Sequence, residues 1–347
     1  MAFEPTHLGL YFSQEEIDVA RSEREDNEHL QSAWQWLHAQ AGDIVIERKS
    51  EKNGNVSDED AELESAEPEQ VIKPELDALG ECVQDALKFC FAEDATAGKR
   101  AAQRLMTGMG LQDAPTLSGT IQATLGVAHA FEMVRGSMSD SDVSQWLSQY
   151  ATFTNSLLNT NDVDLRYTDK LWLMTLSVVS GVVLEDNTRF TQGVAQFKKI
   201  VTDDIHPEGF VKPAVEEAKE SLPAFRRMVE AVAALTLTAE AATRAGENLW
   251  AFEPRDVGVN TAATYLVYYY FYPDKWRWGE DDITEDQTRA IFADRGAWIE
   301  IVTFWANPRG VELLLDERRP LFNAYQGGLT TLTHQKTKKR KKRGWFR

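Results

Sequence analysis

Apolar residues recur along this chain at the three-and-four spacing of amphipathic helices, and the period-two alternation of strands is hard to find. Ser13 followed by Glu16 reads as a capping box before a helix, and Asn27–Ala41 carries Leu30, Ala33, Trp34 and Leu37 on one face. Pro74 reads as the first turn of a helix whose stripe is Leu76, Leu79, Val83, Leu87, Cys90 and Phe91. Helices are predicted over 119–134, 143–158, 169–184 and 188–201. Ser221 is expected to cap a long helix ending at Gly246, and another follows over 257–272.

These helices alternate in character. Those at 119–134, 171–184 and 222–245 are dominated by apolar and small residues, whereas 143–158 and 188–201 show one apolar stripe and one polar face. Alternation of fully and half-buried helices predicts two concentric layers. The expected fold is all-α: an (α/α) toroid, an incomplete barrel of paired antiparallel helices spanning 1–335. A helical solenoid would alternate similarly, but no fixed period of about 33 to 47 residues is present.

Charge interrupts this pattern twice. The stretch SDEDAELESAEPE within 50–70 is dense in acid and poor in apolar residues, and is expected to be a disordered acidic loop. The last twelve residues, KTKKRKKRGWFR, carry eight basic groups and no acid, and read as a flexible basic tail at 336–347. The net charge of −18 includes that tail, so the remaining body is more acidic still and repels polyanions at long range. Nucleic acid is therefore an unlikely partner except through the tail, which otherwise serves as a solvated arm.

Several function classes are excluded by absence of their chemistry. The 14 apolar residues of Leu171–Leu184 fall short of the roughly 20 that cross a bilayer, so no membrane partner is expected. The N-terminal MAFEPTHLGLYFSQEE lacks the basic start and apolar run of an export signal, which predicts a cytoplasmic protein unless a signal was removed. Cys82 and Cys90 lie about 12 Å apart along one predicted helix, too far for a disulfide, and read as small core residues. No metal-ligand spacing, phosphate loop or nucleophile elbow is present, so neither metal nor cofactor is predicted. His129 sits on a small-residue face and reads as a buried histidine rather than a ligand.

Two stretches carry candidate chemistry. In IHPEGFVKP, Pro207, Gly209 and Pro213 hold the backbone around His206, Glu208 and Lys212, which suits either a rigid connector or a functional loop. In TYLVYYYFYPDKWRW, consecutive aromatics on a helix cannot all face the core, since neighbours are about 100° apart. Several of Tyr268, Tyr269, Tyr270, Tyr272, Trp276 and Trp278 are expected either to line a sugar-stacking surface or to form a packing collar.

From Tyr167 to Trp250 the order of segments resembles the alginate lyase superfamily of (α/α)-toroid polysaccharide lyases. A buried helix ends GVVLED, an amphipathic helix TRFTQGVAQFKKIV follows, then IHPEGFVKP and a long helix containing LTAEAATRAGENLW. The N-terminal LGLYFSQEEIDVARSE is similar to the segment with which many such lyases begin. The resemblance implies β-elimination on a uronic-acid-containing glycan, with carbohydrate as the partner. That chemistry needs a group to neutralise the uronate carboxylate, a base for the C5 proton and an acid for the leaving oxygen. The family places an Asn-His pair at the start of the buried helix and an Arg with a Tyr-His element at the start of the long one. Here those places read RYTD and KESLPAFRRM. Two readings follow. In one, Arg226 or Arg227 clamps the acid, Tyr167 serves as acid or base, and His206 contributes, with Lys212, Lys219 and the aromatics binding substrate. In the other, the toroid is catalytically inactive and binds a glycan or a protein; ion pairing with Glu216, Glu217 or Glu220 would then occupy the arginines.

Overall fold

The computed structural model describes residues 3–48, 69–160 and 165–335. The N-terminal part holds α1 (Gln14–Ser22), α2 (Glu28–His38) and an antiparallel ribbon of β1 (Ile44–Arg48) with β2 (Glu69–Ile72). The body continues with α3 (Ala78–Ala92), α4 (Ala95–Met106), α5 (Leu117–Val134), α6 (Asp140–Leu158), α7 (Tyr167–Val183) and α8 (Asn187–Asp203). After the short α9 (Lys212–Glu216) come α10 (Ser221–Arg244), α11 (Val259–Phe271), α12 (Glu285–Arg295), α13 (Trp298–Trp305) and α14 (Val311–Arg318). A second small ribbon, β3 (Phe322–Asn323) with β4 (Gly328–Leu329), leads into α15 (Thr330–Thr333).

The two predicted layers are present. Along the inner row, Cys90 of α3 meets the Met133 carbonyl of α5, and Ser118 of α5 donates to Asp169 of α7. Thr175 of α7 donates to the Ala234 carbonyl of α10 at 3.1 Å. The starts of α5 and α7 therefore lie side by side, with α10 alongside, and most residues of α5, α7 and α10 are buried. The outer helices return antiparallel. On α4, Arg100 and Arg104 reach back to Asp85 and Glu81 of α3, and on α6 Trp146 stacks on Phe131 at 3.8 Å.

The α7–α8 pair is the tightest of these returns. A Cβ on Gly181 would stand 2.6 Å from the Phe190 backbone nitrogen, and one on Gly193 would stand 2.6 Å from Val178 Cγ2. Backbone cannot give way as a flexible side chain does, so Gly181→Ala should cost about 1–3 kcal/mol through overpacking. The check is the urea midpoint: a variant unfolding with the wild type would contradict the close approach.

Several sequence expectations need correction. Strand pairing does occur, but the ribbon buries only Val45 among its apolar residues and exposes Ile44 and Ile72, so no period-two pattern betrays it. Glu69 and Gln70, assigned to the acidic loop, belong to β2; the loop at 50–68 and the tail at 336–347 lie outside the described residues. Pro74 does not open a helix. The chain stays extended through Lys73, whose N–H donates to the Asp43 carbonyl, and α3 starts only after Asp77 accepts the Gly80 N–H at 2.7 Å. Ser221 is the first residue of α10 rather than its cap, which is Glu220. The Ser13–Glu16 box is present, with Ser13 N–H donating to Glu16 Oε2 at 2.9 Å, and Cys82 and Cys90 are buried free thiols.

The far end of α10 is held by a buried ionic network. Glu240, with no exposed surface, accepts from Arg244 Nε at 2.7 Å, from Trp250 Nε1 at 2.8 Å and from Trp305 Nε1. Arg244 also donates to Glu16 at 3.0 Å. Burial alone would raise the Glu240 carboxyl, but Arg244 and His334 outweigh it and hold it down at about 2. His129 is fully buried beside Tyr11 and Phe12, and burial, helped by His334, pushes it down to about 3 from an ordinary 6.5.

Both folded values are depressed, so both groups stabilise the fold at neutral pH and lose that contribution on acidification. The histidine contribution is complete above pH 6.5 and fades towards about 3; that of Glu240 is complete above 4.5 and fades towards about 2. Calorimetry should show Tm falling from below pH 6.5, and His129→Gln should flatten the upper part of that decline. A Tm unchanged between pH 6.5 and 4.5 would contradict it.

Candidate active site

The starts of α5, α7 and α10 meet at one end of the inner row, with the segment between α8 and α10 laid across them. Arg166, at the head of α7, gives no side-chain cap to its orphan N–H groups. Glu217 does so from outside: the Tyr167 N–H donates to its two carboxylate oxygens at 2.8 and 3.0 Å. A carboxylate is favoured there by the helix dipole as well as by the hydrogen bonds. Arg227 approaches the same carboxylate at 3.7 Å.

Tyr167 turns its hydroxyl to Asp204, at the end of α8, and donates to Oδ2 at 2.7 Å. Burial and that carboxylate push the hydroxyl well above its ordinary value, so it stays protonated at neutral pH. Two residues along the same helix, buried Asp169 accepts both Nε and Nη2 of Arg166 at 3.1 Å and the Ser118 hydroxyl. Burial would raise this carboxyl, yet Arg166 and Ser118 hold it below the usual range.

Glu230, deeper along α10, is ion-paired with Arg295 at the end of α12. Burial lifts its carboxyl above the ordinary value, and Arg295, Arg166 and Arg226 reduce that rise without cancelling it. Arg226 itself is exposed and forms no ion pair among the described residues. One unpaired cation thus stands beside one carboxyl that holds its proton unusually well, a combination typical of functional sites.

The loop IHPEGFVKP is a tight turn closed by an Ile205–Val211 bridge. Gly209 has φ of 108°, and a Cβ on it would meet the Thr261 carbonyl of α11 at 2.6 Å, so the turn is pinned to that helix. The His206 ring stacks on Phe210 at 4.3 Å, and its Nδ1 accepts the Glu208 N–H at 3.2 Å, leaving the proton of the neutral ring on Nε2. Glu208 is paired with Arg277. Lys212 is exposed, 4.0 Å from Glu216, and Lys219 is exposed between α9 and α10.

The aromatic stretch divides between packed and exposed rings. Tyr270 is buried and donates to Glu317 at 2.6 Å, Tyr269 is buried, and Trp276 packs on Phe225 at 5.0 Å and Tyr269 at 5.1 Å. Trp278 donates to the Tyr265 hydroxyl at 2.9 Å. Tyr268 and Tyr272 remain about half exposed, with ring centroids 5.0 Å apart. A cavity of about 580 Å³ opens between the loop and α11.

The predicted site residues therefore form two groups. Tyr167 and Arg227 meet through Glu217 at the helix starts and Arg226 stands by Glu230 on α10, while His206 and the aromatics gather around Phe210 and α11, and the Phe225–Trp276 contact joins the two walls. Sequence reasoning passed over Asp204, Glu230 and Arg295, whereas Glu217, expected as an ion-pair partner of the arginines, does approach Arg227. Glu230 carried a signal, an acid set within the apolar run MVEAVAALTL. Arg295 carried none, because its role depends on a partner 65 residues away. Among the described residues no three His, Cys, Asp or Glu side chains converge as metal ligands, and no helix is long and apolar enough to cross a membrane.

No curated protein matches this chain. Solved structures do. Alginate lyase A1-III from Sphingomonas species A1 superposes with a TM-score of 0.66 at 14% identity, over 96% of this chain and 97% of that one. A histidine-to-alanine variant of that lyase complexed with tetrasaccharide gives 0.67 at 15% identity, again over 96% and 97%. An alginate lyase from Bacteroides ovatus gives 0.61 at 11% identity, over 94% and 99%. These likenesses establish the toroid, across nearly the whole length of each chain. The family model for alginate lyase matches residues 102–276, which is half of this sequence and includes the starts of α5, α7 and α10. On that match, the chain belongs to the alginate lyase family.

Proposed function

We propose that this family member is a polysaccharide lyase-like protein that takes a uronic-acid-containing glycan at the starts of α7 and α10 and cleaves it by β-elimination. The observation carrying this reading is the unpaired, exposed Arg226 beside Glu230, whose proton affinity burial has raised. Arg226 neutralises the uronate carboxylate, which is the largest electrostatic demand of the reaction. Glu230 is the group suited to accept the C5 proton, since a general base works best with a pKa nearer the operating pH. Tyr167 stays protonated and is the available donor to the leaving oxygen, with Asp204 fixing its hydroxyl.

A second reading is favoured by a specific observation. Tyr167 and Arg227 are both engaged by carboxylates, Asp204 and Glu217, at the positions where the family's Asn-His and Tyr-His elements are replaced. A toroid so arranged binds a glycan without cleaving it. The two separate on incubation with a panel of polyuronates. Elimination creates a conjugated C4–C5 double bond with ultraviolet absorbance, whereas binding alone raises Tm without a chromophore, because a ligand of the folded state stabilises it.

A further inference from the structure

From the cavity on α11 we infer a second carbohydrate site, one that takes a neutral pyranose rather than a uronate and does not depend on elimination. The cavity, about 580 Å³, is lined by Glu208 and, from α11, by Asn260, Thr261, Thr264 and three tyrosines, 265, 268 and 269. Its walls match both faces of a sugar ring. Tyr268 presents a half-exposed aromatic face, continued by the half-exposed Tyr272 at 5.0 Å, and aromatic faces of this kind pack against the C–H face of a pyranose. These two are among the few large apolar side chains the described surface leaves exposed, and they stand together.

The polar part of the lining calls for hydroxyl donors. The Asn260 side chain lines the cavity, and its buried amide oxygen accepts no hydrogen bond from any described residue. The Glu208 carboxylate adds acceptors, and the Thr264 hydroxyl bonds to no described residue. The sign of charge decides the class of sugar. Two basic groups stand at this wall, and both are committed: Arg277 pairs with Glu208 and lies over the rings of Phe210 and Trp278 at 5.2 and 5.4 Å, and Lys275, near Tyr268, pairs with Asp274 at 2.9 Å. A uronate entering here would meet a carboxylate and no free cation, whereas a neutral ring leaves nothing buried and unpaired. The chain thus holds an anion-directed wall at Arg226 and a neutral-sugar wall at Tyr268, joined through Phe225 and Trp276.

The test is calorimetric titration of the full chain with cellohexaose, xylohexaose, mannohexaose and oligomannuronate, repeated on Tyr268→Ala and Arg226→Ala. At least one neutral hexasaccharide should bind, with affinity falling roughly tenfold in Tyr268→Ala, the equivalent of one lost stacking contact. Binding of the neutral sugar should be unchanged in Arg226→Ala. If none of the neutral sugars binds, or if they bind Tyr268→Ala as well as wild type, the site is refuted. Oligomannuronate binding that is lost in Tyr268→Ala but kept in Arg226→Ala would refute the neutral class. Chromophore formation from polyuronate, with no neutral sugar bound, would remove this site while leaving the elimination reading in place.

Discussion

Glu230→Gln should lower the elimination rate by about 10²- to 10⁴-fold with little change in stability, because an amide of the same shape cannot take a proton. The isostere matters. Removing the side chain would also open a gap on α10 and leave Arg295 with Asp294 as its remaining bonded carboxylate, and lost activity could then be blamed on the fold. Arg226→Ala should cost about 10²- to 10³-fold, since it removes an exposed cation beside Glu230 that can meet charge developing on the substrate. Tyr167→Phe removes the donor and releases Asp204, so the rate should fall while the acid limb of the pH profile, set by the base, keeps its position. If all three variants turn over at the wild-type rate, the residues assigned here are not those of the site.

The largest effect on stability is expected at the opposite end of α10. Glu240→Ala should destabilise the fold by about 3–5 kcal/mol, because it leaves a buried guanidinium, Arg244, with Glu16 as its remaining bonded carboxylate and strips two indole N–H groups of their acceptor. Chemical denaturation with an unchanged m-value measures this cleanly. The double variant Glu240→Met with Arg244→Met should recover part of the loss, since removing both charges removes the unpaired one. A single variant as stable as wild type would mean that the network contributes nothing to holding α1, α10 and α13 together.

How much of this was legible beforehand follows from what each element depends on. The buried α5, α7 and α10 announced themselves by small and apolar residues on all sides, and α6 and α8 by a single stripe, because periodicity records burial directly. The β1–β2 ribbon was not legible, as a ribbon that buries one side chain leaves no periodic trace. At the site, Tyr167, Arg226, Arg227 and His206 could be found as polar residues at helix starts and in a rigid turn. Which of them is free could not be found that way. Arg227 is engaged by Glu217 and Arg226 is not, although the two are adjacent in sequence and equally basic. That difference is set by the direction each side chain takes from α10 and by a carboxylate brought in from the turn after α9. The aromatic stretch was legible as a tension, too many rings for one face, and the fold resolves it by burying Tyr269 and Tyr270 and exposing Tyr268 and Tyr272.

The most direct test of the elimination reading is absorbance during incubation of the wild-type protein with alginate and other uronic-acid polymers. The account predicts an ultraviolet chromophore growing with time on at least one of them, at a rate reduced in Glu230→Gln and in Arg226→Ala. Flat absorbance on every uronic-acid polymer, with the protein folded throughout, would contradict it.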